Sequence, residues 1–175
     1  METLYAILLP IHSILRWVVI LLALFVIVRA ITGLRFRRPY EPMDDKAGLW
    51  YTLAFDVQVL VGLILNFILS PVTAPLWQNM GAGMSNAAAR YFGVEHAVLM
   101  IVALALAHIG RSRAKKAAYR LEKERDKLTD RKEIARRSAQ IHRGALIFFA
   151  LSLVVTLAAI PWPFLAVGRR LFPGL

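Results

Sequence analysis

Residues 4–34 read LYAILLPIHSILRWVVILLALFVIVRAITGL, and the only His, Lys, Arg, Asp or Glu side chains in the run are His12, Arg16 and Arg29. A stretch of this length exceeds the ~20 apolar residues that carry a helix across a ~30 Å hydrocarbon core. It is not built like a cleaved leader. Glu2, not a basic region, precedes it, and no small-residue cleavage site comes before Arg29 and Arg35. We read it as a helix kept in the mature protein.

Working outward, three more blocks of the same kind follow: Gly48 to Leu69, Tyr91 to Ile109 and Ala145 to Phe164. The expected fold is all-α, a single domain over 1–175, arranged as a transmembrane up-and-down four-helix bundle. This expectation resolves a conflict in the composition. The 175 residues are 58% hydrophobic yet carry a formal charge of +11 from 22 basic and 11 acidic side chains. A soluble domain averages roughly 45–50% apolar residues, and so basic a chain would otherwise suggest nucleic-acid binding. The absence of cysteine excludes disulfides, iron–sulfur clusters, zinc fingers, thiol catalysis and covalent haem attachment through Cys-x-x-Cys-His.

The charge is segregated. Five basic residues lie between Arg29 and Lys46 and thirteen between Arg111 and Arg143, whereas the connection from Ser70 to Arg90 holds Arg90 alone. Basic connections stay on the cytoplasmic side, so both termini and the Ser70–Arg90 connection are expected outside, across a bacterial cytoplasmic (inner) membrane. Pro71, Pro75, Gly81 and Gly83 suit an irregular outer connection, and Trp77, Tyr91, Phe92, Trp162 and Phe164 suit the outer headgroup layer. Between Arg111 and Ile141 there is neither Pro nor a further Gly, so the third and fourth helices are expected to project as a charged cytoplasmic hairpin. Thr129 or Asp130, with Glu133 following, reads as the cap of the fourth helix. The hairpin suits anionic lipid. Its single aromatic residue, Tyr119, argues against nucleic acid.

Polar side chains at membrane depth carry the functional information, because their burial is costly unless they are paired or used. They are His12 and Arg16 in the first span, Asp56, Gln58 and Asn66 in the second, Glu95, His96 and His108 in the third, and His142 at the start of the fourth. The first and third spans run in the same direction, which brings His12 and His96 to matching levels in the outer half. As diagonal partners of a bundle they would face each other across its centre, the arrangement for axial ligation of a b-type haem. Arg16, one turn from His12, and Arg90 are candidates for pairing with propionates. His108 lies 12 residues beyond His96, about 18 Å along the helix and about 120° around it. Together with His142 it offers a second, inner haem, although these two helices should be adjacent rather than diagonal. The competing reading makes all four histidines interfacial hydrogen-bonding residues. Gln58, Gly62 and Asn66 form a small polar stripe suited to helix packing, or to a quinone. Asp56 is the carboxylate placed deepest, expected protonated or paired with an arginine. Met80 and Met84 are too weak a pattern for copper.

The strings His12-Ser-Ile-Leu-Arg-Trp17, Gln58-Val-Leu-Val-Gly62 with Ser70-Pro71, Glu95-His96, and Ile160-Pro-Trp-Pro-Phe164 resemble those of small bacterial four-helix membrane proteins described as cytochrome b-like. The resemblance implies non-covalent haem b, with His12, His96 and His142 matching the group's histidines. It also marks a departure, since related sequences often have a histidine where Asp56 stands. The function expected is membrane electron transfer, with one haem b rather than two, exchanging electrons with quinol or a partner subunit of a respiratory or photosynthetic complex. No residue need act as a nucleophile. The alternative is a cofactor-free structural subunit of a larger membrane complex; a transporter is disfavoured by the lack of inverted repeats.

Overall fold

The computed structural model describes residues 2–125, 128 and 130–171. Among these residues there is no strand. In chain order the helices are α1 (Glu2–Arg35), α2 (Pro42–Ile64), α3 (Ala74–Gln78), α4 (Met80–Ser85), α5 (Ala87–Arg90), α6 (His96–Glu124) and α7 (Arg131–Ala159). Two π-helical turns complete the set: Leu65–Leu69 continues α2, and Tyr91–Glu95 joins α5 to α6. Four helical stretches, Glu2–Arg35, Pro42–Leu69, Ala87–Glu124 and Arg131–Ala159, are long and apolar enough to cross a membrane.

The ends of these helices follow from local chemistry. Arg37, at φ 49°, turns the chain out of α1 in the left-handed region. Pro42 opens α2, and the Glu41 N–H donates to Asp44 Oδ2 at 2.8 Å, one half of a capping box. Asp130 caps α7 by accepting from the Lys132 N–H at 2.8 Å; the other candidate cap, Thr129, lies outside the described residues. The fourth span ends at Ala159, five residues short of the expected Phe164, because Pro161 and Pro163 cannot continue a helix. The connection from Ser70 to Arg90 also differs from expectation. It is three short helices, two of them started by Asn79 and Asn86, which accept from the Ala82 and Ala89 N–H groups. Gly83 is required there, since a Cβ at that position would lie 2.3 Å from Leu76 Cα.

Helices α1 and α6 each pack against α2 and α7, and the α6–α7 contact is the most extensive. The shared core is aromatic on α2 (Tyr51, Phe55) and small on α6 (Ala103, Ala107, Ala114), with Phe149 of α7 between them. Gly110 lets Phe148 come close, where a Cβ would sit 2.7 Å from that of Phe148. Inside the core the Ser152 hydroxyl donates to the Ala103 carbonyl at 2.7 Å, so Tyr51, also 2.7 Å from Ser152 Oγ, must be the donor in its own bond. One hydroxyl chain thereby joins α2, α7 and α6. Outside, Leu21, Leu60, Ile68 and Val154 are each more than half exposed, a surface that is unfavourable in water and suited to lipid contact.

The buried carboxylate is Asp44, not Asp56. Asp44 is 6% exposed and accepts from Arg29 Nε at 2.7 Å and from both terminal nitrogens of Arg38 at 2.9 Å. This bidentate clamp ties the end of α1 to the start of α2. The Asp44 carboxylate also holds the Arg38 guanidinium above its ordinary pKa.

Candidate functional site

The site lies at the end of the molecule where both π turns fall. Asn66, in the first turn, donates through Nδ2 to the Gly93 carbonyl of the second at 3.0 Å. Its own carbonyl receives the Thr73 hydroxyl and the Trp77 indole. A π turn displaces a helical carbonyl from its usual partner and so frees it for such bonds. The two turns are thus fastened together, and His96 is held as the first residue of α6.

Across from it stands His12 of α1. The two imidazoles have centroids 6.4 Å apart and planes at 71°. Gly62 of α2 makes room for His12, since a Cβ there would lie 3.0 Å from its Cε1. His12 and His96 line a cavity of about 110 Å³ together with Arg16, Gln58, Gly62 and Asn66. Of the polar residues singled out in the sequence, the structure thus brings together His12, Arg16, Gln58, Asn66 and His96. Missed in the sequence were two others, Arg169 and Arg170, which the chain beyond α7 brings back to the same cavity. Arg169 stacks on Phe92, with Cζ 4.1 Å from the ring centroid, and Arg16 donates to the Leu171 carbonyl. Among the described residues, three that bear a guanidinium and none that bears a carboxylate line the cavity. The dipeptide Arg169-Arg170 is visible in the sequence, but nothing local tells that the chain folds back after Pro161.

The hydrogen bonds define the chemistry of each ring. His96 Nδ1 lies 2.7 Å from the Ala159 carbonyl. A carbonyl only accepts, so Nδ1 carries the proton and Nε2 keeps its lone pair, the arrangement found in metal-ligating histidines. Tyr91 donates to the same carbonyl at 3.0 Å. For His12, Gln58 Nε2 lies 3.3 Å from Nε2, while His12 Nδ1, Gln58 Oε1 and Arg16 Nε are buried with no partner. Turning the Gln58 amide over exchanges one unpaired atom for another. Each such group costs about 1–3 kcal/mol when left unsatisfied, so three of them in one small cavity make it a candidate ligand site.

A haem fits this donor set in three respects: two imidazoles from different helices, a fixed Nε2 lone pair on His96, and cations for its carboxylates. The cavity volume sets a condition. About 110 Å³ is below the ~300–1,000 Å³ of pockets for drug-sized ligands, so a tetrapyrrole requires the side chains that fill the space around the two imidazoles to give way. Among the described residues no group of three or more His, Asp or Glu side chains could hold a metal ion. Axial ligation of haem asks for only two.

The remaining candidates are placed elsewhere. His108 and His142 do not meet. His108 Nε2 is 2.9 Å from Asp56 Oδ1 on the outward side of α2 and α6, with both side chains nearly half exposed. Asp56, expected protonated or paired with an arginine, thus pairs with a histidine. His142 is 1% exposed, donates through Nε2 to the Arg38 carbonyl at 3.2 Å, and packs on Gly33 and Tyr40. Arg90 is engaged by Glu95 at 2.9 Å and by the Met84 carbonyl. Met80 and Met84 are exposed on α4.

Comparison of the chain with family models, with curated proteins and with solved structures gave no match.

Proposed function

We propose that this chain is a multi-pass protein of the bacterial cytoplasmic membrane that transfers electrons through one non-covalent haem b held by His12 and His96. The observation that carries the reading is their convergence from α1 and α6, 6.4 Å apart, with the His96 Nδ1–H committed to the Ala159 carbonyl. Haem b, when bound, supplies a one-electron couple. The chain's own residues do the rest. Arg16, Arg169 and Arg170 bind carboxylates, Gln58 yields the His12 lone pair to a ligand, and Leu9, Val59 and Met100 exclude water. Electrons pass to and from quinol or a partner subunit. The four spans form an up-and-down bundle with both termini outside, and the ends of α6 and α7 project into the cytoplasm as a charged hairpin. His108 and His142, each committed to another partner, leave this reading with a single haem.

A reduced-minus-oxidised spectrum of membranes containing the protein tests it. A b-type absorption is expected, abolished by His12→Ala and by His96→Ala and retained in His108→Ala. Membranes rich in the protein but without that absorption would overturn the electron-transfer reading and leave the cofactor-free structural subunit.

A further inference from the structure

A second concavity lies between α6 and α7, well away from the histidines. It is an open groove of about 570 Å³ with Arg113, Lys116 and Arg120 on one wall and Arg137 on the other. The three α6 residues follow an i, i+3, i+7 spacing, which puts them on one helix face. Among the described residues no acidic side chain lines the groove. Arg137 is already occupied, by Glu133 at 2.8 Å and Glu124 at 2.5 Å. Arg113 rests on Phe148, with Cζ 5.5 Å from the ring. Lys116 and Arg120 have no carboxylate partner among the described residues.

The floor of the groove has a different character. Ala114, Ala117, Ile141 and Ala145 form it, and at Gly144 there is open space, with no atom within 4 Å of where a Cβ would lie. Its inner limit, Ala145, is the first residue of the apolar run that follows Arg143, and Gly110 ends the corresponding run on α6. The basic wall therefore begins where the apolar spans stop and rises about 10 Å from Arg113 to Arg120 at 1.5 Å per residue. A polar anion on an apolar stem matches such a site in both charge and depth.

We propose that this groove binds the phosphodiester headgroup of an anionic glycerophospholipid, with Lys116 and Arg120 as its principal cations. Basic pockets between spanning helices on the cytoplasmic side suit that chemistry, at about 1 kcal/mol for each cation near the surface. The proposal rests on membrane insertion with the ends of α6 and α7 on the cytoplasmic side. It does not depend on haem, so a missing b-type spectrum leaves it untouched.

The full chain, purified in detergent, is titrated with dioleoylphosphatidylglycerol or dioleoylphosphatidylcholine, and bound lipid is counted by native mass spectrometry. Phosphatidylglycerol is expected to bind more tightly. The Lys116→Gln/Arg120→Gln variant should lose about 25-fold in affinity, about fivefold for each charge removed. A control of equal charge, Lys115→Gln/Arg125→Gln, removes cations that do not line the groove and should stay within about twofold of wild type. Equal losses in the two variants would reduce the effect to bulk charge and overturn the site. So would indifference to lipid type. Displacement of the lipid by inorganic phosphate at equal concentration would make the groove a free-phosphate site instead.

Discussion

The four histidines show how far a single ring's partners decide what it can do. His96 donates from Nδ1 to a carbonyl and keeps Nε2 as an acceptor, whereas His142 spends its Nε2 proton on the Arg38 carbonyl and fills the space above Gly33. His142 therefore acts as a lock between α7 and the end of α1. A Cβ at Gly33 would lie 2.4 Å from the ring, closer than any side chain tolerates. Gly33→Ala should consequently destabilise the protein by about 1–3 kcal/mol, the usual range for overpacking, seen as a lowered thermal midpoint in detergent. An unchanged midpoint would show that the ring moves aside freely. The pairing of His12 with His96 was legible because helix rise and span direction fix depth along a membrane helix. Asp56–His108 was not. That contact depends on the rotation of α2 and α6 about their axes, which apolar sequence on nearly every face leaves unspecified.

At the level of elements, the join between α1 and α2 is set by one carboxylate. Asp44 is 6% exposed and meets Arg29 and Arg38 at 2.7 and 2.9 Å, so removing it leaves two partly buried cations with only the half-exposed Glu41, at 3.3 and 2.8 Å, as counter-charge. Breaking a fully buried pair costs about 3–5 kcal/mol. Because the two arginines keep some solvent contact, Asp44→Ala should cost about 2–3 kcal/mol. Asp45→Ala, whose contact with Arg111 is 3.8 Å long, should cost well under 1 kcal/mol. Chemical denaturation of the two variants side by side measures the difference, and equal midpoints would contradict the clamp. The four apolar helices, and a cap at Thr129 or Asp130, could be read from apolar length and capping chemistry. The two π turns could not, because they are set by the bonds that Asn66, Thr73 and Gly93 make with one another.

For the molecule as a whole, charge asymmetry is the ground for the orientation that both functional proposals assume. Eighteen of the 22 basic residues lie in the Arg29–Lys46 and Arg111–Arg143 segments, the bias from which the positive-inside rule predicts that those segments face the cytoplasm. In inverted and right-side-out vesicles, Lys123→Cys should react with a membrane-impermeant maleimide only from the cytoplasmic face, and Gly81→Cys only from the opposite one. The reverse pattern would invert the topology. The sequence alone determined that four apolar stretches are present and that the basic residues cluster in two of the segments between them, and helix rise put His12 and His96 at matching positions along the first and third stretches. Each of these is a property of local composition and of helix rise. The tertiary structure decided the rest: the return of Arg169 and Arg170 to the cavity, the clamp on Asp44, and the lining of the groove between α6 and α7. These depend on how helices rotate and pack. In a chain apolar enough for lipid, that is settled by close fits at glycines such as Gly33, Gly62 and Gly110, and by buried hydrogen bonds, instead of by any hydrophobic periodicity.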